Sequence, residues 1–163
     1  MQYYQHDLAN IEDYLHHRDP YLLVDRIVEI TPNAIRTERT INGDEFFLAG
    51  HFPGAPIFPG AMMQELTTQS AGILIASKYN PMQEYNTHDP HFNKFALGVL
   101  VRVKKAKYKG FARPGDKLVT HVILNDHTTN LFDFSATLSI DGKTIMQNSF
   151  RLANIESALL NAS

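Results

Sequence analysis

Apolar residues along this chain follow two patterns: alternating or β-branched runs toward both ends, and one dense block between them. Residues 22–30 are rich in Leu, Val and Ile and stop at Pro32-Asn33, so they predict a strand closed by a turn. Residues 34–41 follow as its hairpin partner. In the last third, residues 98–109 and 117–126 predict two strands on either side of the Pro114-Gly115-Asp116 turn. Residues 131–140 alternate: Phe132, Phe134, Ala136, Leu138 and Ile140 face one way, and Asp133, Ser135, Thr137 and Ser139 the other. Asp141-Gly142 is a two-residue hairpin signal leading into a strand over 143–153.

The middle of the chain differs. Within eleven positions of the 46–60 stretch lie Gly50, Pro53, Gly54, Pro56, Pro59 and Gly60. No regular element tolerates that density of glycine and proline, so a tightly shaped loop is expected. Residues 61–77 then combine good helix formers with Met62, Met63, Leu66, Ala71, Ile73, Leu74 and Ile75, which cover most of a helix surface. Such a helix is normally buried. Residues 78–95 are polar, carry Pro81 and Pro90, and predict an excursion over the core. One long buried helix wrapped by a curved, mostly antiparallel sheet makes this an α+β chain.

Composition narrows the function. A chain of 163 residues suits one domain spanning 1–163. Its net charge of −2 speaks against a nucleic-acid binder. Cysteine is absent, which excludes disulfides, thiolate chemistry and cysteine-based zinc sites. The N-terminal Met1-Gln2-Tyr3-Tyr4-Gln5-His6 has no basic-then-apolar signal, and the longest apolar run, near 72–76, is too short for a bilayer. A soluble cytoplasmic protein without a membrane span is expected.

Three residues then stand out chemically. Glu65 is a carboxylate on the helix that otherwise reads as buried, which is costly unless it is paired, hydrogen-bonded or protonated. Ala61, Met62, Gln69 and Gly72 share its face at helical spacing, so Gln69 is its expected hydrogen-bonding companion. A helix end reaching solvent is the plainer alternative. His51 sits in the shaped loop between Gly50 and Phe52, and an imidazole can act as base in one step and acid in the next. Gly60 opens the helix directly after Pro59, where free backbone N–H groups and the helix dipole favour negative charge. That is what an enolate-like thioester oxygen requires.

The run His51-Phe52-Pro53-Gly54-Ala55-Pro56-Ile57-Phe58-Pro59-Gly60, with Glu65 fourteen positions after the histidine and Gln69 four further on, resembles the hot-dog-fold 3-hydroxyacyl-acyl carrier protein dehydratases. It is most similar to the bacterial branch that only dehydrates. His17-Arg18-Asp19-Pro20-Tyr21-Leu22-Leu23-Val24-Asp25-Arg26 is similar to that family's N-terminal signature, and the likeness spans roughly residues 11–152. The resemblance implies a hot-dog fold and a homodimer whose sheets become continuous, with a trimer of dimers left open. It implies that His51 of one subunit faces Glu65 of the partner subunit, with Gly60 receiving the thioester carbonyl and Gln69, Phe52 and Pro59 in support. The substrate would arrive on the phosphopantetheine arm of acyl carrier protein, and neither metal nor redox cofactor is implied. Glu rather than Asp at position 65 favours simple dehydration. One residue more than the family pattern stands before the histidine in Phe46-Phe47-Leu48-Ala49-Gly50-His51, and the 78–95 excursion is longer and more polar than usual.

Other signals point elsewhere less strongly. His88-Asp89-Pro90-His91 lacks an evident third ligand for a metal, and His16, His17, His6, His121 and His127 read as surface or strand positions. Arg102, Lys104, Lys105, Lys107, Lys109 and Arg113 place six of fifteen basic residues in twelve positions. That run is a solvated strand face or a docking surface for acidic acyl carrier protein. The alternatives to a dehydratase are a hot-dog thioesterase, which would add water at the carbonyl, and a non-catalytic acyl-binding subunit. Elimination needs a base at C2 and an acid at C3, and both candidate groups are present.

Overall fold

The computed structural model describes residues 1–160. A four-residue helix α1 (Ile11–Tyr14) precedes the hairpin β1 (Arg26–Ile30) and β2 (Ala34–Thr40). The shaped loop leads into the long helix α2 (Gly60–Lys78), and strands β3 (Phe95–Tyr108), β4 (Lys117–His127), β5 (Leu131–Ile140) and β6 (Lys143–Glu156) follow. The six strands form one sheet in the order β1-β2-β4-β5-β6-β3, antiparallel throughout. Helix α2 packs against β2, β3, β4, β5 and β6, so the sheet wraps it.

The core lies between helix and sheet. Leu66, Ile73, Leu74 and Ile75 of α2 are wholly buried, as are Phe132 and Phe150 from the sheet. In β5, Phe132, Phe134, Ala136 and Leu138 point inward as their alternation predicts. Helix α2 is buried nearly all round, yet part of that burial is polar. Thr67 and Ser70 donate their hydroxyls to the carbonyls of Gln64 (2.7 Å) and Leu66 (2.8 Å) on their own helix. The same side chains then reach the sheet through Asn148 and Thr37, each at 2.8 Å. A buried hydroxyl satisfied in this way costs little, which is why residues without apolar character survive on an enclosed helix.

Three boundaries depart from the sequence reading by three residues or more. The first strand begins at Arg26 rather than residue 22, because the Leu23 N–H donates to the Gln69 side chain at 2.8 Å instead of joining a ladder. Leu23 and Val24 are buried by packing, not by strand pairing. Strands β3 and β6 each run three residues past their expected ends, and these extensions pair with one another, Phe95 opposite Glu156. Neither extension has a local signal, since each depends on the other. Helix α1 also lacked a sequence signal.

The excursion over 78–95 is held to α1 and the segment after it. The Tyr85 hydroxyl donates to the Tyr14 carbonyl at 2.8 Å, and the Thr87 hydroxyl donates to the Glu12 carbonyl. The Arg18 guanidinium donates to the Thr87 carbonyl at 3.0 Å, and His88 Nε2 pairs with Asp13 at 2.8 Å. His88 is therefore engaged as a structural pin.

Helix α2 and strand β3 come unusually close at two glycines. Gly98 has φ +70°, and a Cβ there would lie 3.1 Å from the Gly72 Cα. Gly98→Ala thus meets a left-handed backbone costing about 1–2 kcal/mol and a contact with main chain that cannot rotate away. The expected outcome is a loss of at least about 2 kcal/mol, read as a lower urea midpoint with unchanged slope. An unmoved midpoint would contradict the close approach.

Strand β3 closes one side of the sheet, and among the described residues only β6 pairs with it. Its residues 100–108 are exposed throughout, including Leu100, Val101 and Val103. A long edge strand with apolar side chains is a template for pairing with another chain.

Candidate active site

The loop carrying His51 is built from the backbone outward. Glu45 anchors its start, accepting the N–H groups of Asn42 and Gly43 and the Arg39 guanidinium, all at 2.8 Å. Those donors hold the Glu45 carboxyl below its usual range although burial pushes the other way as the largest single influence. The His51 N–H bonds the Leu48 carbonyl (2.9 Å), and Phe52 and Ala55 exchange backbone bonds of 3.2 and 2.9 Å. Phe47 packs edge-on against Phe58 with ring centroids 5.0 Å apart.

This frame fixes the imidazole. His51 Nδ1 lies 3.1 Å from the Ile57 carbonyl oxygen, and Ile57 N–H returns to the His51 carbonyl at 2.9 Å. A carbonyl only accepts, so Nδ1 carries the hydrogen and Nε2 presents a lone pair. The ring stacks on Phe52, centroids 4.4 Å apart. Phe52 is itself 54% exposed.

Helix α2 starts at Gly60 with Pro59 as its N-cap and no side-chain cap. The Met62 and Met63 N–H groups both turn back to the Pro59 carbonyl at 3.0 Å. Among the described residues this leaves the Gly60 and Ala61 N–H groups without a backbone acceptor, the polarity that suits a developing oxyanion. A Cβ at Gly60 would meet the Tyr108 ring at 2.9 Å, so glycine lets that ring lie over the helix start. Nothing in the sequence marked Tyr108, because it arrives from the far end of β3.

Glu65 lies further along the helix with its side chain 17% exposed, not reaching freely into solvent. Its Oε1 accepts the Gln69 Nε2 amide at 2.9 Å, as the helical spacing predicts. Gln69 is fully used: the same amide group donates to the Tyr21 carbonyl (2.9 Å), and its oxygen accepts Leu23 N–H (2.8 Å). The helix face bearing Glu65 is thereby bolted to residues 21–23.

That bolt delivers a residue read from sequence as surface or strand. His17 Nε2 is 3.6 Å from Glu65 Oε1, and its ring stacks on Tyr21 with centroids 5.9 Å apart and planes 12° from parallel. Burial depresses the His17 pKa below its ordinary value, Glu65 opposes this, and Arg18 adds to the depression. Burial, with the nearby Glu65 charge, raises that of Tyr21. The tertiary fold creates this neighbourhood, although the 17–26 segment itself carried the second family match.

Leu15, His17, Tyr21, Glu65, Gln69 and Gly72 help line a cavity of about 290 Å³. A second cavity of about 330 Å³ shares Leu15, His17, Gly72 and Leu97 with it. His51 lies on neither wall. Within one chain the structure joins Glu65 to Gln69 and His17, and keeps His51 with Phe52 and Ile57.

Residues 15–149 match the family model described as a FabA-like domain. The 3-hydroxyacyl-(acyl-carrier-protein) dehydratase FabZ of Rickettsia massiliae (strain Mtu5) is 33% identical over 147 residues, covering 88% of this chain and 92% of its own. The protein of the same name from Rickettsia bellii (strain OSU 85-389) matches at the same identity and coverage. Among solved structures, the dehydratase heterocomplex ApeI:P from Xenorhabdus doucetiae aligns with TM-score 0.77 and 18% identity, over 96% of this chain and 100% of that one. A hypothetical thioesterase with coenzyme A from Streptococcus pneumoniae TIGR4 aligns with TM-score 0.56 and 10% identity, over 80% of this chain and 85% of that one. At such identities the two structures speak to the fold, which is the hot-dog arrangement of one helix in an antiparallel sheet. With most of its length matched by the family model and by relatives at one-third identity, the chain belongs to the FabA-like domain family.

Proposed function

We propose that this chain is a single dehydratase domain converting 3-hydroxyacyl thioesters of acyl carrier protein into trans-2-enoyl thioesters, with His51 as base and Glu65 as acid. The observation that carries this reading is the state of the two groups. His51 has its Nδ1 committed to Ile57, leaving Nε2 to take a proton, while Glu65 is held by Gln69 in a cavity.

The chemistry balances without a cofactor. The thioester carbonyl accepts from the Gly60 N–H, which makes the C2 proton more acidic. His51 Nε2 takes that proton, the C2–H electrons become the C2–C3 double bond, and the C3–O bond breaks. Glu65 gives its proton to the departing hydroxyl, which leaves as water. His51 does not line the cavity of its own Glu65, which supports a working pair made of His51 of one subunit and Glu65 of the partner subunit. The free edge of β3, with Leu100, Val101 and Val103 exposed, supports a dimer made by joining the two sheets.

Basic residues of β3 favour an acidic carrier. Arg102, Lys105 and Lys107 are exposed, whereas Lys104 is partly neutralised by Asp133, which Arg151 also holds at 2.7 Å. Shifts in the β3–β6 register break strict alternation, so the basic side chains are not divided cleanly between two faces. No helix among the described residues is long and apolar enough to cross a membrane.

Purified protein is expected to interconvert carrier-linked 3-hydroxyacyl and trans-2-enoyl thioesters, followed by enoyl-thioester absorbance. Release of free acid with no enoyl product would instead establish a thioesterase.

A further inference from the structure

We propose that His17 is a positioning residue for Glu65, donating from Nε2 toward Oε1 so that the transferable proton resides on Oε2. This rests on the reading of Glu65 as the acid. The geometry begins with Oε1, which already accepts the Gln69 amide at 2.9 Å and has His17 Nε2 3.6 Å away. At that separation the contact is electrostatic, and a small rotation of either side chain closes it when substrate expels water.

The orientation of His17 follows from its other nitrogen. Nδ1 is buried and has no hydrogen-bond partner among the described residues. A hydrogen there would be an orphaned donor, the less tolerated kind of unpaired group. The alternative places the hydrogen on Nε2, facing the carboxyl oxygen, where a bare lone pair would repel it. Two donors then converge on Oε1, which must act as the acceptor oxygen of the protonated acid. Oε2 is left to carry the proton and to meet the leaving hydroxyl.

The surroundings keep the imidazole in this role. Tyr21 stacks against the ring and Arg18 adjoins it in sequence. Across the cavity, β3 offers Leu97, Val99 and Leu100, none of them titratable, and α2 offers Glu65 as its only ionisable group on the lining. Burial, the largest influence, together with Arg18 outweighs the opposing pull of Glu65 and disfavours a cationic His17.

The test compares variants that keep or lose the donor. His17→Leu is expected to lower kcat on the order of 10-fold to 100-fold with KM within about twofold, because substrate still binds but the acid is misaligned. His17→Gln, whose amide can reach Glu65, is expected to recover most of that loss. His17→Asn, too short to reach, should behave like the leucine variant and replaces it if that one fails to fold. Equal losses in the Gln and Leu variants, or a change confined to KM, would overturn the proposal. If Glu65→Gln retains full activity, the assignment of Glu65 itself fails. If Glu65→Gln is inactive while His17→Leu is fully active, only the role of His17 fails.

Discussion

His51→Ala is expected to lower kcat/KM for dehydration on the order of 10³-fold, about 4 kcal/mol of transition-state stabilisation. The size follows from what is removed. Nδ1 of the ring is committed to the Ile57 carbonyl, which leaves Nε2 as the nitrogen proposed to take the C2 proton. Water in its place would be a weaker base without fixed position. The loss should fall on catalysis rather than folding. The backbone bonds from His51 N–H to Leu48 and from Ile57 N–H to the His51 carbonyl, both 2.9 Å, do not involve the side chain. A melting temperature close to that of the parent, with enoyl formation near background, is the expected pair of observations. Activity within a few-fold of the parent would remove His51 from the mechanism.

Glu65→Gln should cost almost as much, on the order of 10²-fold to 10³-fold in kcat. The substitution keeps length and an oxygen that can still accept the Gln69 amide, so the bolt between α2 and residues 21–23 persists. What it removes is the proton for the C3 oxygen, and hydroxide is a poor leaving group. Hydration of the enoyl thioester must slow by the same factor, since the two directions share one transition state. Measuring both directions separates a catalytic role from a structural one. A variant that dehydrates normally would return Glu65 to a structural role on a half-buried helix face.

How much of this could be read beforehand varied with the range of the forces involved. Strand β5 was legible to the residue because alternation is local: Phe132, Phe134, Ala136 and Leu138 have to face the core whatever their partners are. Helix α2 was legible to within a residue at each end, since Pro59 and Gly60 mark its start and its apolar block its body. The Glu65–Gln69 contact followed from helical spacing alone. By contrast, the pairing of Phe95 with Glu156 depends on two segments far apart in sequence, and neither shows it alone. The run Leu22–Val24 looked like a strand because burial and strand pairing leave the same apolar trace; the Gln69 side chain took the hydrogen bond that a strand would have used. The nearness of His17 to Glu65 went unseen for a related reason. Its position beside Glu65 exists only after Gln69 has fastened residues 21–23 to the helix. Tyr108 over Gly60 is likewise a product of where β3 ends.

The resemblance implied the partnership of His51 and Glu65, and within a single chain the two groups have different surroundings. The most direct measurement is therefore complementation. His51→Ala and Glu65→Gln subunits, each inactive alone, are mixed, dissociated and allowed to reassociate. Random pairing makes about half of the dimers mixed, and each mixed dimer holds one intact site, so about a quarter of parental activity is expected. No recovery above the separate variants, in a sample where differently tagged subunits demonstrably pair, would place both residues of each site in one chain and contradict the shared site.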